Sequence, residues 1–380
     1  MKVLHICNNF IVSAVHQKMV DASRRLGIQN TVFAPVISAI GRVTPHEDEY
    51  AVECVTKLDR FVFYHKQEKT YRALKATVPV EAFDLIHTHC IFSDGNVARR
   101  LKWELGIPYL VTINNTDLNA FFRLRRFLRP CGILVMKEAS HIIFISEVYR
   151  QSLFQKYVPQ QERETLLQKT HIIPFGIDDF WFDHIDNEKK HLLLEKKIRL
   201  LFVGDICKNK NISTVVAAVS RLREEGWDIS FTIVGKILDK RLYRELSKAE
   251  FLTYGGEQTK ETLIDYYRQS DIFIMPSFTE TFGLVYAEAL SQGVPVIYSQ
   301  GQGFDGQFQE GVVGYHVDPY SMEAVAESIV RIAKEYDTIQ PRCAVAARKF
   351  SWMEIARQYE KLYQQMLGCQ SDGMSGHCKK

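Results

Sequence analysis

The sequence predicts an α/β protein made of two doubly wound domains, each built on a parallel sheet. Short runs rich in β-branched residues alternate with helical patterns along most of the 380 residues. The alternation stops at residues 178–197, where charged residues cluster and no strand pattern is present. Because a chain of this length is expected to form about two domains, this break predicts a linker between them.

The first domain is expected to span residues 1–180. Its strands are predicted at residues 3–7, 31–34, 84–88, 109–113 and 141–145. Two helices are predicted at residues 13–26 and 93–105. They should end at Gly27 and Gly106, because glycine readily adopts the left-handed conformation that ends a helix.

The second domain is expected to span residues 196–350. Its strands are predicted at residues 198–203, 229–234, 272–275 and 294–298. A last helix begins at about residue 351 and extends to 367 or 368. Residues 369–380 are small and polar, and they predict a disordered tail.

The composition is that of a globular protein and disfavours several other classes. Hydrophobic residues make up 46% and charged residues 24% of the chain, and the net charge of +3 is too mild to indicate nucleic-acid binding. No apolar run is long enough for a membrane span, and the first residues predict a strand rather than a signal peptide. The eight cysteines are scattered without metal-ligand spacing, so we expect reduced thiols, no metal and a cytoplasmic protein.

The most informative stretch is residues 277–295, SFTETFGLVYAEALSQGVP. It predicts a loop and a helix between two buried strands, with Glu280 in the loop and Glu288 on the helix. The helix is expected at about residues 283–291, with Thr281 as its N-cap. Open α/β sheets bind ligands beyond the carboxyl ends of their strands, where this segment places its polar groups.

The start of this helix suits an anionic ligand. Its backbone amides have no partner within the helix, and the positive end of the helix dipole favours a phosphate. The residues that supply these amides are Phe282, Gly283 and Leu284. Glu288 is positioned to accept hydrogen bonds from a vicinal diol such as a ribose, and Glu280 to meet a sugar hydroxyl or a developing positive charge.

This segment resembles the Glu-x7-Glu signature of retaining glycosyltransferases of the GT-B fold, in glycosyltransferase group 1 (family 4). The resemblance extends from residue 1 to about residue 367. It implies two Rossmann-like domains that face a cleft, with a C-terminal helix that crosses back to the N-terminal domain. It also implies a retaining hexosyltransferase of polysaccharide biosynthesis, such as capsule or lipopolysaccharide synthesis. The donor is expected to be a nucleotide-sugar, by default a UDP-sugar, and the acceptor a glycan or lipid-linked sugar, with no metal or other cofactor.

In the second domain, the resemblance also implies roles for residues outside this segment. Lys210 matches the lysine that neutralises the donor diphosphate, and with Glu280 it is the expected catalytic pair. Gly204 and Asp205 lie at the end of the preceding strand and are assigned to donor binding. Asp205 stands where relatives carry an arginine, so either Lys208 compensates or Asp205 orients Lys210.

In the first domain, residues 112–117 resemble the family's Thr-x-His-Gly-x-Asp. Asn114 replaces the histidine near the donor sugar, and an asparagine can hydrogen-bond a sugar but cannot carry a proton at neutral pH. Asp117 ends this motif. Asn8 and Asn9 follow the first strand, and together with Asp117 they are expected on the acceptor side.

A basic, aromatic cluster suits the surface of an anionic membrane, where a lipid-linked acceptor would lie. It consists of Phe121, Phe122, Arg123, Arg125, Arg126, Phe127 and Arg129. The same composition also fits a solvated basic helix. We therefore expect a cytoplasmic protein with possible peripheral contact with the inner face of the membrane.

Two other functions stay open. The replacements at Asp205 and Asn114 are compatible with a catalytically weak partner subunit of GT-B shape. A sugar-nucleotide epimerase of related shape would need acid/base side chains that no motif marks. A dinucleotide dehydrogenase is disfavoured, because no G-x-G-x-x-G follows the first strand.

Overall fold

The computed structural model describes residues 1–37, 48–56, 58–60, 62–185 and 197–368. The chain divides into two compact units. The first comprises Met1–Ile145, Tyr149–Pro174 and Trp352–Lys380, and the second comprises Ser146–Val148 and Phe175–Ser351. Most of the predicted linker and the predicted tail, residues 186–196 and 369–380, lie outside the described residues.

The first unit is built on a parallel sheet that has seven strands among the described residues. These are β1 (Lys2–Ile6), β2 (Gln29–Ile37), β3 (Glu49–Val55), β4 (Leu85–Thr88), β5 (Tyr109–Ile113), β6 (His141–Phe144) and β7 (Thr170–Ile172). Their order is β3-β2-β1-β4-β5-β6-β7. The direction of strand addition reverses between β1 and β4, which makes that position the topological switch point of the sheet.

Apart from the last helix of the chain, the described part of this unit has six α-helices, two of which were predicted. They are α1 (Ala14–Arg25), α2 (Phe63–Thr77), α3 (Asn96–Leu105), α4 (Arg129–Glu138), α5 (Glu147–Lys156) and α6 (Gln160–Leu167). Gly106, with φ of 75°, ends α3 as expected, and Gly27, with φ of 80°, follows α1. The predicted helix at residues 93–105 begins later, because Ile91–Gly95 forms a π-helical turn instead.

The second unit contains a parallel sheet of six strands in its described part. These are β8 (Lys197–Val203), β9 (Asp228–Val234), β10 (Leu252–Tyr254), β11 (Ile272–Met275), β12 (Val296–Ser299) and β13 (Gly314–Val317). The order is β10-β9-β8-β11-β12-β13, with the switch point between β8 and β11. Its helices are α7 (Asp179–Asp183), α8 (Ile212–Glu224), α9 (Lys240–Leu246), α10 (Lys260–Arg268), α11 (Leu284–Ser291) and α12 (Met322–Ala347).

The last helix, α13 (Trp352–Met366), belongs to the first unit although it follows the second in sequence. It packs against α1 and buries Ile355 and Tyr363. The hydroxyl of Tyr363 lies 2.7 Å from Nδ1 of His87 on β4. Both the α/β class with two parallel sheets and the return of the last helix to the first unit are therefore confirmed.

Candidate active site

The two residues of the predicted catalytic pair, Lys210 and Glu280, meet at the switch point of the second sheet. Lys210 ends the short helical turn Lys208–Lys210 after β8, and Glu280 lies in the loop after β11. Nζ of Lys210 is 2.6 Å from Oε2 of Glu280, and the two side chains are only 20% and 14% exposed. A cation and a carboxylate thus lie together where open α/β sheets bind their ligands.

Two asparagines that sequence reasoning missed attach the lysine turn to the loop after β11. Asn209 donates to the carbonyl of Thr279 at 2.8 Å and accepts from the Thr279 amide at 3.2 Å. Asn211 has φ of 58° and donates from Nδ2 to the carbonyls of Pro276 at 3.0 Å and Pro319 at 2.6 Å. Because asparagine tolerates the left-handed conformation, it can turn the chain and make both bonds.

Glu280 is held from the opposite side by the glycine-rich loop 301–306. Its backbone amide donates to Oε1 of Gln302 at 2.9 Å, and its Oε1 accepts from the amide of Thr281 at 3.0 Å. A Cβ on Gly303 would overlap the carbonyl oxygen of Thr281, so the loop can approach this closely only with glycine there. These contacts orient the carboxylate toward Lys210.

The helix that follows begins differently from the prediction. α11 starts at Leu284 and its N-cap is Gly283, not Thr281. Gly283 has φ of 80°, and a Cβ there would overlap the ring of Tyr286, so the chain turns at the glycine and leaves Thr281 outside the helix. Within the described part of the chain, the amides of Phe282, Gly283 and Leu284 donate no hydrogen bond.

The side chain of Phe282 anchors this turn in the core. Its ring is 2% exposed and lies 5.9 Å from the ring of Phe175, 6.1 Å from Phe304 and 5.8 Å from Phe350. Only the backbone of Phe282 is therefore presented for ligand binding.

Glu288 lies further along α11 and is half-buried. Its Oε2 accepts a hydrogen bond from the hydroxyl of Tyr267 at 3.3 Å, and the Tyr267 ring packs 5.6 Å from that of Trp181. Burial raises the pKa of Glu288 to about 7, and the bond from Tyr267 partly opposes this shift. Both protonation states are therefore populated near neutral pH.

Gly204 and Asp205 follow β8, and the glycine has a structural role that was not predicted. A Cβ on Gly235 would overlap the carbonyl oxygen of Gly204, so the ends of β8 and β9 need glycine for their close contact. Asp205 is exposed. The structure pairs Lys210 with Glu280, so the carboxylate bonded to the lysine is Glu280, and a role for Asp205 stays a prediction.

In the first unit, the side-chain nitrogen and oxygen of Asn114 both form hydrogen bonds with nearby backbone groups. Nδ2 donates to the carbonyl of His89 at 3.1 Å, and Oδ1 accepts from the amide of Thr116 at 2.9 Å. The amide of Asn114 in turn donates to Oδ2 of Asp117 at 3.2 Å. Asn114 therefore shapes the turn that follows β5.

The predicted acceptor-side residues lie at the carboxyl ends of β1 and β5. Asp117 is fully buried, and burial raises its pKa to about 7. Oδ1 of Asn8 accepts from Nζ of Lys66 at 3.3 Å, whereas Asn9 is exposed. These residues belong to the first unit, whereas the Lys210–Glu280 pair belongs to the second.

Comparison with known families covers both units. A family model described as glycosyl transferase 4-like domain matches residues 12–167, and one described as glycosyl transferases group 1 matches residues 183–350. The chain belongs to the group 1 glycosyltransferases. Lys210, Glu280 and Glu288 of this glycosyltransferase all lie within the second matched segment.

Two relatives are similar to this chain over most of its length. The chain is 24% identical over 339 residues to an uncharacterized glycosyltransferase of Methanocaldococcus jannaschii, covering 84% of this chain and 87% of that protein. It is 22% identical over 302 residues to the alpha-monoglucosyldiacylglycerol synthase of Acholeplasma laidlawii, covering 74% and 75%. Neither likeness defines the substrates of this glycosyltransferase.

The fold is shared with solved glycosyltransferases. Anabaena HepE in complex with UDP superposes with a TM-score of 0.68 at 15% identity, covering 96% of this chain and all of that one. The GT-B fold class is therefore confirmed. No helix among the described residues has the length and apolarity needed to cross a bilayer.

Proposed function

We propose that this glycosyltransferase is a retaining hexosyltransferase that uses a UDP-sugar. Its acceptor would be a glycan or lipid-linked sugar in surface polysaccharide biosynthesis. The observation that carries the proposal is the Lys210–Glu280 ion pair at the switch point of the second sheet, next to the unpartnered amides that begin α11. The likeness in fold to HepE, which was solved with UDP, supports this nucleotide.

In this proposal the leaving diphosphate is stabilised by fixed charges and dipoles rather than by a metal. The Lys210 ammonium has three N–H donors, so it can keep its bond to Glu280 and still donate to a phosphate oxygen. The amides of Phe282, Gly283 and Leu284 supply further donors at the positive end of α11. Donors that are oriented in advance need no reorganisation as charge develops, which is the source of their catalytic effect.

The two glutamates bind the two sugars of the donor, which are its ribose and the sugar that is transferred. Ionised Glu288 accepts hydrogen bonds from the two ribose hydroxyls, and Glu280 binds a hydroxyl of the transferred sugar near its anomeric carbon. The acceptor attacks on the face from which the diphosphate departs, and the leaving phosphate oxygen takes the acceptor's proton. No protein base is then required, which is compatible with Asn114 in place of a histidine. Asn8 and Asn9 bind the acceptor, whereas the fully buried Asp117 supports the turn after β5 by accepting from the amide of Asn114.

A screen with nucleotide-sugars tests the donor. Purified protein is heated with UDP-, GDP- or ADP-glucose, and with UDP-galactose. A donor at about 100 times its dissociation constant should add about 2.7 kcal/mol of stability, so we expect the UDP-sugars to raise the denaturation midpoint most. A larger shift with GDP- or ADP-glucose would overturn the choice of UDP, and no shift with any of them would count against the whole proposal.

Two assays of the same purified protein distinguish the transferase from the partner subunit and the epimerase. Release of UDP from the bound donor, with or without added acceptor, would exclude the catalytically weak partner subunit. Interconversion of UDP-glucose and UDP-galactose would instead support the epimerase. We expect UDP release and no interconversion.

A surface of the first unit supports a peripheral contact with an anionic membrane, but it is smaller than the predicted cluster. Phe122 is fully buried and therefore cannot contribute to it. Leu124 and Phe127 are 72% and 71% exposed, and the exposed Arg123 and Arg126 alternate with them. Apolar side chains flanked by arginines suit the boundary between acyl chains and anionic headgroups.

Charge reversal tests this membrane contact. We expect the wild type to sediment with vesicles of phosphatidylcholine and phosphatidylglycerol but not with phosphatidylcholine alone. Arg123→Glu with Arg126→Glu should weaken the binding at least tenfold, because each basic residue near such a surface contributes about 1 kcal/mol. The control Arg241→Glu, at an arginine 87% exposed in the second unit, should bind as the wild type. Equal binding to both kinds of vesicle would contradict the proposal.

A further inference from the structure

A cluster of metal-ligating side chains lies at the switch point of the first sheet. Cys7 follows β1, His16 lies in the first turn of α1, and His89 follows β4. One ligand atom from each of the three lies within 4.8 Å of the other two. Cys7 and His89 are buried, whereas His16 is partly exposed.

His5 contacts His89 of this cluster, and the hydrogen bonds of its ring define its tautomer. Asn30 donates from Nδ2 to the carbonyl of Ile28 at 3.0 Å, and this fixes the orientation of its amide group. Its Oδ1 therefore faces Nε2 of His5 at 2.8 Å. Since the oxygen can only accept, Nε2 of His5 carries the proton.

The tautomer of His89 follows from that of His5. Both rings are buried and lie 5.4 Å apart, which favours neutral imidazoles, so Nδ1 of His5 is unprotonated. It lies 3.1 Å from Nε2 of His89, which must donate the hydrogen bond. Nδ1 of His89 is then left with an unprotonated lone pair, the form that binds a metal ion.

We propose that Cys7, His16 and His89 bind one zinc ion, with a fourth position open to water or a small ligand. One thiolate and two imidazoles are a typical donor set for zinc. Metal-binding histidines usually donate their other N–H to a fixed acceptor, as His89 does to His5 and, through it, to Asn30. On binding, the thiol proton of Cys7 is released to solvent.

The distances allow the site to close with small movements. Zinc bonds of 2.0–2.3 Å place tetrahedral ligand atoms roughly 3.5 Å apart. The ligand atoms already lie within 4.8 Å of one another, so closing the site requires movements of about 1 Å. A second trio, His5, His87 and His89, is less suitable, because both nitrogens of His87 already contact hydroxyls, at 2.7 Å on Tyr363 and 2.9 Å on Thr112.

The proposed ion would connect the segment from Cys7 to His16 with the end of β4. That segment contains Asn8 and Asn9, so the metal would fix the loop assigned to the acceptor. The expectation of no metal came from the absence of short ligand spacing. These ligands come from separate elements, which such spacing cannot reveal. The site does not depend on the proposed transferase chemistry.

Cobalt(II) binding tests the site without an activity assay. The full chain is treated with a chelator and titrated with Co²⁺, whose bond to a thiolate gives a charge-transfer absorption band. We expect one equivalent to bind, with this band, and to be displaced by Zn²⁺. Cys7→Ser should abolish the band, and His16→Gln should lower the affinity at least tenfold.

Two variants elsewhere serve as matched controls. Cys343→Ser removes another buried thiol, in the second unit, and His171→Gln removes another half-buried histidine of the first unit. Both should keep the band and the affinity. Asn30→Ala leaves all three ligands in place and should weaken binding by about 10–100-fold. The absence of a band in the wild type, or affinity unchanged in His16→Gln, would overturn the proposal even if Cys7→Ser failed to fold.

Discussion

Replacing Lys210 by alanine is expected to lower the rate of UDP release from a UDP-sugar donor by about 10²–10³-fold. The substitution removes the cation that the structure places 2.6 Å from Glu280 at the end of β8, and the developing diphosphate charge loses its main counter-charge. Binding of UDP, measured by calorimetry, should also weaken. Circular dichroism should be unchanged, because Asn209 and Asn211 hold the turn independently of the lysine.

The control for this experiment lies in the same turn. Lys208 is exposed and two residues away, so any compensation by Lys208 for the missing arginine is at most partial, and Lys208→Ala should lose much less activity than Lys210→Ala. Glu280→Ala should lose activity as severely as the lysine variant and remain folded. Full activity in Glu280→Ala, or equal losses in the two lysine variants, would contradict the assignment of the pair.

Glu288→Gln is expected to stabilise the protein at pH 8 while it weakens donor binding. The pKa of Glu288 is raised from 4.5 to about 7 in the folded state, so the native protein keeps a proton that the unfolded chain loses between these values. Stability from this group therefore falls as pH rises from about 4.5 to about 7, and the full cost is present above pH 7. Glutamine removes that cost, which is about 1–3 kcal/mol at pH 8 and close to zero at pH 4.5.

Thermal denaturation at the two pH values measures this effect. A gain of 1 kcal/mol should raise the midpoint by about 2–4 °C at the size of one unit. The control Glu224→Gln, at an exposed position on α8, should show no pH-dependent gain. UDP-sugar binding by the wild type should strengthen as pH rises through 7, because the ionised form accepts both ribose hydroxyls, and Glu288→Gln should lose that dependence. A variant less stable than the wild type at pH 8 would contradict the burial cost.

The central strands of both sheets were predictable, whereas the edge strands were not. β1, β4, β5 and their counterparts β8, β11 and β12 are largely apolar runs, because most of their residues are covered on both faces. The four strands that the pattern missed, β3, β7, β10 and β13, are the outermost strands of the two sheets. An edge strand is covered on fewer sides and mixes polar with apolar residues, so three-residue strands such as β7 and β10 carry no distinctive run.

The candidate site also has parts that were predictable from the sequence and parts that were not. Glu280, Glu288 and the amides before α11 come from one continuous segment, so their types and spacing were sufficient to predict them. The N-cap assignment to Thr281 was wrong because the steric demand at Gly283 comes from the ring of Tyr286. The roles of Asn209, Asn211 and Gln302 depend on bonds between loops far apart in sequence, which no local pattern records.

The sequence alone was enough for the α/β class, the two parallel sheets and the residue types of segment 277–295, because these depend on periodicity and turn chemistry within short stretches. The return of the last helix was expected from the family resemblance. The partner of Lys210 and the grouping of Cys7, His16 and His89 required the folded chain. Parallel strands bring their carboxyl ends to one edge of a sheet whatever their separation in sequence, so contacts at that edge are determined by strand order.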